Sequence, residues 1–331
     1  MATLDVTNPT ITDWLKTLDP NGAPARTIEL MKQRNDLLDD MVILEGNLPN
    51  GHQVTAQTAL PSSFWRLANV GNPPSKDSNA QFTEQAGTVE NWSVIDKKVA
   101  ELNGDVAAYR AQRAKAHVES LKQELVDTIF YGSAANPEEI IGFANRYNST
   151  SAGNGSNVIS AGGSGSDNSS IYLVGWGEQA VHMFYPRGAN NVGLDYKDYG
   201  LQVVSSTISG NQLEAYRARW SWDIGLAVAD WRNVVRIPNI DMSNLRAKTS
   251  AADLIELMIQ ALHTLPDLAA VRPVFYMNRG VARMLDVQRR DDVILGGGLK
   301  YENVDGMMKY SFRGVPVRIC DKLTEAEGAV S

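Results

Sequence analysis

Four histidines, one cysteine and a few acid pairs are the side chains of this sequence with the most chemical reach, and their spacing decides what they can do. His52, His117, His182 and His263 stand far apart, and none makes the H-E-x-x-H type of spacing that puts two imidazoles on one helix face for zinc. Each reads as a surface or packing residue. Cys320 closes an apolar run from Val315 to Ile319, which points to thiol packing rather than to an activated nucleophile. As the single cysteine, it leaves no intrachain disulfide and no multi-cysteine metal site. Gly162-Gly163-Ser164-Gly165 is glycine-rich but lacks the Gly-Lys-Ser/Thr continuation that gives a phosphate cradle its cation, so it reads as a flexible loop. There is no G-x-S-x-G elbow. Asp291-Asp292, and Glu325 with Glu327, read as solvated surface acids. Trp220, Trp222 and Trp231 have the rings to stack on bases or sugars, but they sit among Arg217, Arg219 and Asp223 in the pattern of one buried and one wet sheet face. The expectation is a protein without catalytic machinery, metal or cofactor.

Composition narrows the partners. Lys and Arg number 31 against 38 Asp and Glu, a formal net charge of -7, which lacks the basic balance needed to grip phosphates tightly or to read a DNA sequence. With 331 residues, 43% of them hydrophobic, the chain can bury a sizeable core as one elaborate unit or two to three subdomains. The stretch from Met1 to Leu18 has no basic leader before an apolar run, so no secretory signal is expected. The apolar stretch from Leu254 to Leu265 is interrupted by Glu256 and His263, and no bilayer-spanning helix is expected.

The elements that must position these residues follow from periodicity and punctuation. Up to about residue 46 short apolar clusters, including Trp14, Leu15 and Leu18, alternate with turn signals and read as an arm with short helices. From His52 to Asp96 two strand-like runs flank a polar tip, Gly71 to Asn79, containing Pro73-Pro74. This is a long hairpin, with Phe64, Arg66, Ala68 and Val70 alternating on the outgoing limb. Ala114, Val118, Leu121, Leu125 and Ile129 fall three or four apart and predict an amphipathic helix of about seven turns, capped near Asp105 and ended by a left-handed Gly132. Ser149 to Ser170 is dominated by Gly, Ser and Asn and reads as an exposed loop or mobile flap. Strand-like segments follow at Ile171 to Val174, Ala180 to Tyr185, Leu201 to Ser205 and Leu213 to Trp222. A helix is predicted from Ala251 to His263 under a Ser250 cap. The chain closes with short strands at Pro273 to Met277 and Pro316 to Cys320 around a helix at Arg279 to Gln288. The fold class is α+β.

The order of parts, an arm, a ribbon, a charged spine helix, a glycine-rich segment and a sheet domain, resembles the major capsid proteins of tailed bacteriophages. The segments that carry the resemblance begin with Phe130-Tyr131-Gly132, the Asn136-Pro137 turn and Ile141-Gly142-Phe143. They continue with Ile171 to Gly177, Tyr185-Pro186-Arg187-Gly188, Trp222 to Leu226 and Asp230 to Ile237. Tyr276-Met277-Asn278-Arg279 and Phe312 to Val317, ending at Asp321, complete them. Each pattern is loose; their number and order from about Asn47 onward give the weight. The resemblance implies the Hong Kong phage-type fold, with an N-arm at 1–46, an extended E-loop hairpin at 47–100, a spine helix and part of the P-domain at 101–150, and the A-domain with the remaining P-domain strands at 151–331. It implies pentamers and hexamers of an icosahedral head made in the host cytoplasm, enclosing double-stranded DNA without sequence preference. It also implies portal, scaffolding and possibly decoration proteins as partners, the scaffold being a separate chain because the arm is short. Candidate intersubunit contacts are Trp14, Trp65, Pro73, Pro74 and Lys76, the lysine as a simple surface residue rather than as a cross-linking one. An encapsulin-like shell around protein cargo and a β-rich carbohydrate-binding or tail protein are the alternatives.

Overall fold

The computed structural model describes residues 8–9, 33–102, 104–189, 192–205, 210–291, 299–304 and 307–331. Trp14, most of the arm and Asp292 lie outside them. The strands are β1 (Ile43–Glu45), β2 (Gly51–Ala59), β3 (Ser78–Gln85), β4 (Gly87–Asp96), β5 (Asn168–Trp176), β6 (Val181–Tyr185) and β7 (Asp195–Ser205). They continue as β8 (Gln212–Val228), β9 (Val234–Asp241), β10 (Arg272–Met277), β11 (Leu299–Val304), β12 (Met307–Phe312) and β13 (Val315–Ile319). With the helices Val106–Tyr131, Leu254–Thr264 and Arg279–Asp291 they make a mixed α+β protein. Among the described residues two compact units are formed, each from separate stretches of chain: 88–125 and 190–223 in the first, and 34–87, 126–189 and 224–331 in the second.

In the first unit β7 pairs antiparallel with β8 from Asp195↔Ser221 to Ser205↔Gln212, and β4 lies along the other side of β8. The helix places Leu121 and Ala114 against Ala218, Trp220 and Trp222, and Tyr109 with Ile95 and Ala100. Val118, expected on the same face, is 37% exposed. The helix starts where expected: the Asp105 carboxylate accepts from Ala108 N at 2.9 Å and satisfies one of the free N–H groups of the first turn. His117 stacks on Trp220 with ring centroids 5.0 Å apart and bonds Asn91, an ordinary packing role.

The second unit holds the larger core. β11-β12-β13-β10-β5 lie side by side, with β10 and β13 parallel, and β5 carries β9 as a further antiparallel neighbour. All nine residues of β5 are buried. Ile171, Leu173, Val235, Ile237, Phe275 and Met277 form one apolar layer with Leu254, Met258, Leu262, Val281 and Leu285 from the two helices. Residues 34–46, the end of the expected arm, dock on this same unit: Leu37 is fully buried, and Asp40 pairs with Arg318 at 2.8 Å.

Several expectations are corrected here. Ser149 to Ser170 is no mobile flap: Ile159, Ala161 and Gly163 donate to the carbonyls of Arg236, Pro238 and Asn239, and the buried Asn157 amide bonds the carbonyls of Arg232 and Val234 at 3.0 and 2.8 Å. A polar sequence is fixed in place because its own donors and β9 acceptors satisfy each other. Gly132 does not take a left-handed conformation. It is glycine because a Cβ there would stand 2.1 Å from the Ile140 carbonyl oxygen. Asp253, not Ser250, caps the helix Leu254–Thr264, accepting from Glu256 N at 3.0 Å. Glu327 is no surface acid either. It is 7% exposed, pairs with Arg236 at 2.7 Å, and accepts from Tyr131 Oη at 2.6 Å and from Ser170 Oγ.

Removing one partner of a buried pair strands the other charge. Glu327→Ala is therefore expected to cost about 3–5 kcal/mol, read as a lower urea midpoint of the isolated chain. The double variant Arg236→Met with Glu327→Leu should recover most of that loss.

Candidate functional site

The part of the molecule least able to support itself is the ribbon β2–β3, in register from Gly51↔Gln85 to Ala59↔Ser78. A two-stranded ribbon is marginal in water on its own, so its root must be held. Arg146 grips Glu84 with two parallel bonds of 2.6 and 2.7 Å and donates its Nε to the Ile141 carbonyl at 3.0 Å. Asn47 clasps Gln53 in both directions, at 2.8 and 2.7 Å. His52 meets His182 edge to face with ring centroids 5.0 Å apart, a pairing that a separation of 130 positions hides in the sequence.

Beyond the root the ribbon departs from expectation. The outgoing strand stops at Ala59, and the returning run breaks at Ala86, after which β4 belongs to the first unit's sheet. The alternation of Phe64, Arg66, Ala68 and Val70 forms no strand. Pro61, Pro73 and Pro74 have no N–H for a ladder, and side chains take over the cross-links. Ser75 Oγ donates to Ser62 O at 2.8 Å, Asn72 Nδ2 to Phe64 O at 3.1 Å and Arg66 Nε to Val70 O at 3.0 Å. The apex is the turn Leu67 to Val70, with Asn69 at φ 65, so Pro73, Pro74 and Lys76 lie on the returning limb instead of at the tip.

This loop is apolar and bare. Trp65 is 103% exposed, Leu60 78%, Leu67 75%, and Phe64 and Val70 52% each. Burying such side chains stabilises by about 1.5–3 kcal/mol apiece, and a group of them on a projecting loop marks a binding surface. Sequence patterning pointed to Trp65 and to the ribbon, but the shared exposure of Leu60, Phe64 and Leu67 was hidden by the expected strand.

The residues weighed for chemistry do other work. The Cys320 thiol is fully buried and pushed up to about 12 by that burial, far from a reactive thiolate. The glycine-rich run lies against β9, where a Cβ on Gly163 would stand 2.5 Å from the Asn239 carbonyl. Trp231 lies in a 3₁₀ turn, apart from the strand that holds Trp220 and Trp222. Among the described residues no three His, Cys, Asp or Glu side chains gather as a metal site, and no helix is long and apolar enough to cross a membrane.

A chain of the bacteriophage Epsilon15 structure is similar over 100% of this chain and 99% of its own, with 29% identity and a TM-score of 0.79. The bacteriophage JBD30 capsid is similar over 91% and 96%, with 8% identity and a TM-score of 0.50. The holo-SrpI encapsulin complex of Synechococcus elongatus PCC 7942 matches over 72% and 93%, with 11% identity and a TM-score of 0.42. No curated protein sequence matches. Fold and bare ribbon together define a shell subunit of the Hong Kong phage type. The model of the family described as major capsid protein GP7 matches residues 19–331, and the chain belongs to that family. It is a structural capsid protein of a tailed phage, part of the virion shell, which sets aside the carbohydrate-binding alternative.

Arg146→Met should loosen the ribbon without unfolding the body: hydrogen exchange in β2 and β3 is expected to rise by roughly tenfold, the effect of about 1–2 kcal/mol, while β5 and β10 amides stay protected.

Proposed function

We propose that the chain assembles into pentamers and hexamers that close an icosahedral head around double-stranded DNA, with no catalytic activity of its own. The observation that carries this is the bare apolar loop on a ribbon rooted by Arg146, Asn47 and His182, in a chain of a capsid family. Each subunit completes its neighbour by covering Trp65, Phe64, Leu60 and Leu67, with Pro73 and Pro74 stiffening the returning limb and Lys76 solvated beside it. The arm, through Trp14, adds a second reach. In this reading 47–100 is the E-loop, the helix Val106–Tyr131 the spine of the P-domain, and most of 151–331 the A-domain.

The net charge of -7 fits a container that holds DNA by enclosure, since a surface short of cations gains little from phosphate contacts and releases its cargo readily. The subunit is made in the host cytoplasm, and a separate scaffolding protein, a portal and a decoration protein are the partners this role calls for.

Electron microscopy of the expressed chain, alone and with its scaffold, tests the reading. Closed shells or rings of five and six are expected. Deleting 71–79, or changing Trp65 and Phe64 to Ser, should abolish them while the melting temperature of the subunit moves by no more than about 2 °C, because the changed residues are exposed. Assembly that survives both variants would overturn the role given to the ribbon.

A further inference from the structure

The root of the ribbon contains two histidines that the structure leaves short of partners. His182, on β6, is 2% exposed, and neither of its ring nitrogens meets hydrogen-bonding geometry with a partner. His52, on β2, presents a buried Nδ1 in the same condition. The two rings meet edge to face at 5.0 Å, and Phe184 closes the other side of His52 at 5.5 Å. Buried polar atoms are nearly always satisfied, so three unsatisfied nitrogens in one contact call for an explanation.

The backbone of Gly177 and Glu178 favours a charged His182 ring to some degree, but the surroundings offer an imidazolium no free carboxylate. Opposite His52 on β3 stands Glu84, but both of its oxygens are held by Arg146. β5 has no charged residue, and the Gly225 to Val228 end of β8, which pairs with β6, has none. Glu45 on β1 accepts from Gly188 N, Glu178 lies in the turn before β6, Arg187 in the turn after it, and Asp230 is held by Arg232. A proton on either ring therefore faces its neighbour's ring without a free carboxylate to receive it, and on His182 meets only the backbone of Gly177 and Glu178.

We propose that the His52–His182 contact is a proton-operated latch: with both rings neutral it clamps the ribbon to β6, and with either ring charged it lets the ribbon root go. The sign follows from burial. Burial first, and the neighbouring His52 second, outweigh the backbone groups of Gly177 and Glu178 and lower the His182 ring to about 4, and burial lowers His52 as well. Between the ordinary histidine value near 6.5 and about 4 the released form takes up protons that the clamped form refuses. The clamp is at full strength above that window and is lost as the pH falls through it. The released ribbon would carry Trp65 and its neighbours to new positions, so a head subunit would gain a hinge that acid sets free.

A nitroxide on Gln57→Cys, at an exposed position of β2, reports the root directly in the full chain as an unassembled subunit; the buried Cys320 stays unlabelled. Ribbon mobility should rise reversibly between pH 6.5 and 4, the opening equilibrium growing on the order of 100-fold. His182→Phe should remove this transition, and His52→Phe should remove it as well, which keeps the test decisive should one variant fail to fold. An unchanged transition in the folded variants, or no mobility change in the parent down to pH 4, would overturn the latch. The measurement needs no shell, so its outcome is separate from that of the assembly reading.

Discussion

The most deeply buried ion pair among the described residues closes the larger unit. Arg236 and Glu327, each side chain 5% exposed, bring together β9, the C-terminal segment, Ser170 of β5, Tyr131 at the end of the long helix and the carbonyls of Ala144 and Tyr147. Taking two charges out of water is costly, and the pair is tolerable only because nearly every arm of the guanidinium and both carboxylate oxygens find a partner. That requirement fixes the relative placement of five pieces of chain. It also orders the last residues, where Val330 exchanges bonds with the Asn239 side chain and Thr150 bonds Ser331. The same surroundings, dry and acidic through Glu327, push the Tyr131 and Tyr172 hydroxyls well above their ordinary range, so both stay neutral and Tyr131 serves as a hydrogen-bond donor to Glu327.

Against this closed body the ribbon is unfinished. Its root is fastened by Arg146, Asn47 and the histidine contact, while its loop replaces ladder bonds with side-chain bonds and exposes its largest apolar groups. A molecule that spends a buried ion pair on its body and leaves Trp65 in water is not optimised as a monomer. The chain belongs to a capsid family, and in the assembly proposed for it the missing contacts would come from other subunits.

The comparison with solved structures separates what is shared from what is particular. The Epsilon15 chain is similar along its whole length in fold, at 29% identity. The JBD30 capsid is similar in fold at 8% identity, too little for side-chain contacts to be carried across. Contacts such as His52 with His182 must therefore be argued from this chain alone.

The sequence by itself determined the α+β class, the long helix with its Asp105 start, β5, β6 and β8, the helix Arg279–Asp291 and the capsid resemblance, because periodicity, caps and order of parts are local signals. Only the tertiary structure decided which polar residues are buried. Glu327 reads as a tail acid until Arg236, 91 positions away, is seen beside it, and the Gly/Ser/Asn run reads as a flap until its donors meet β9. Gly132 reads as a left-handed cap until the Ile140 carbonyl is seen to need its space. For Glu327 and the Gly/Ser/Asn run the deciding partner lies far along the chain, and for Gly132 it comes back across a turn. The pairing of donors, charges and free volume across such distances is set by packing, which no local pattern encodes.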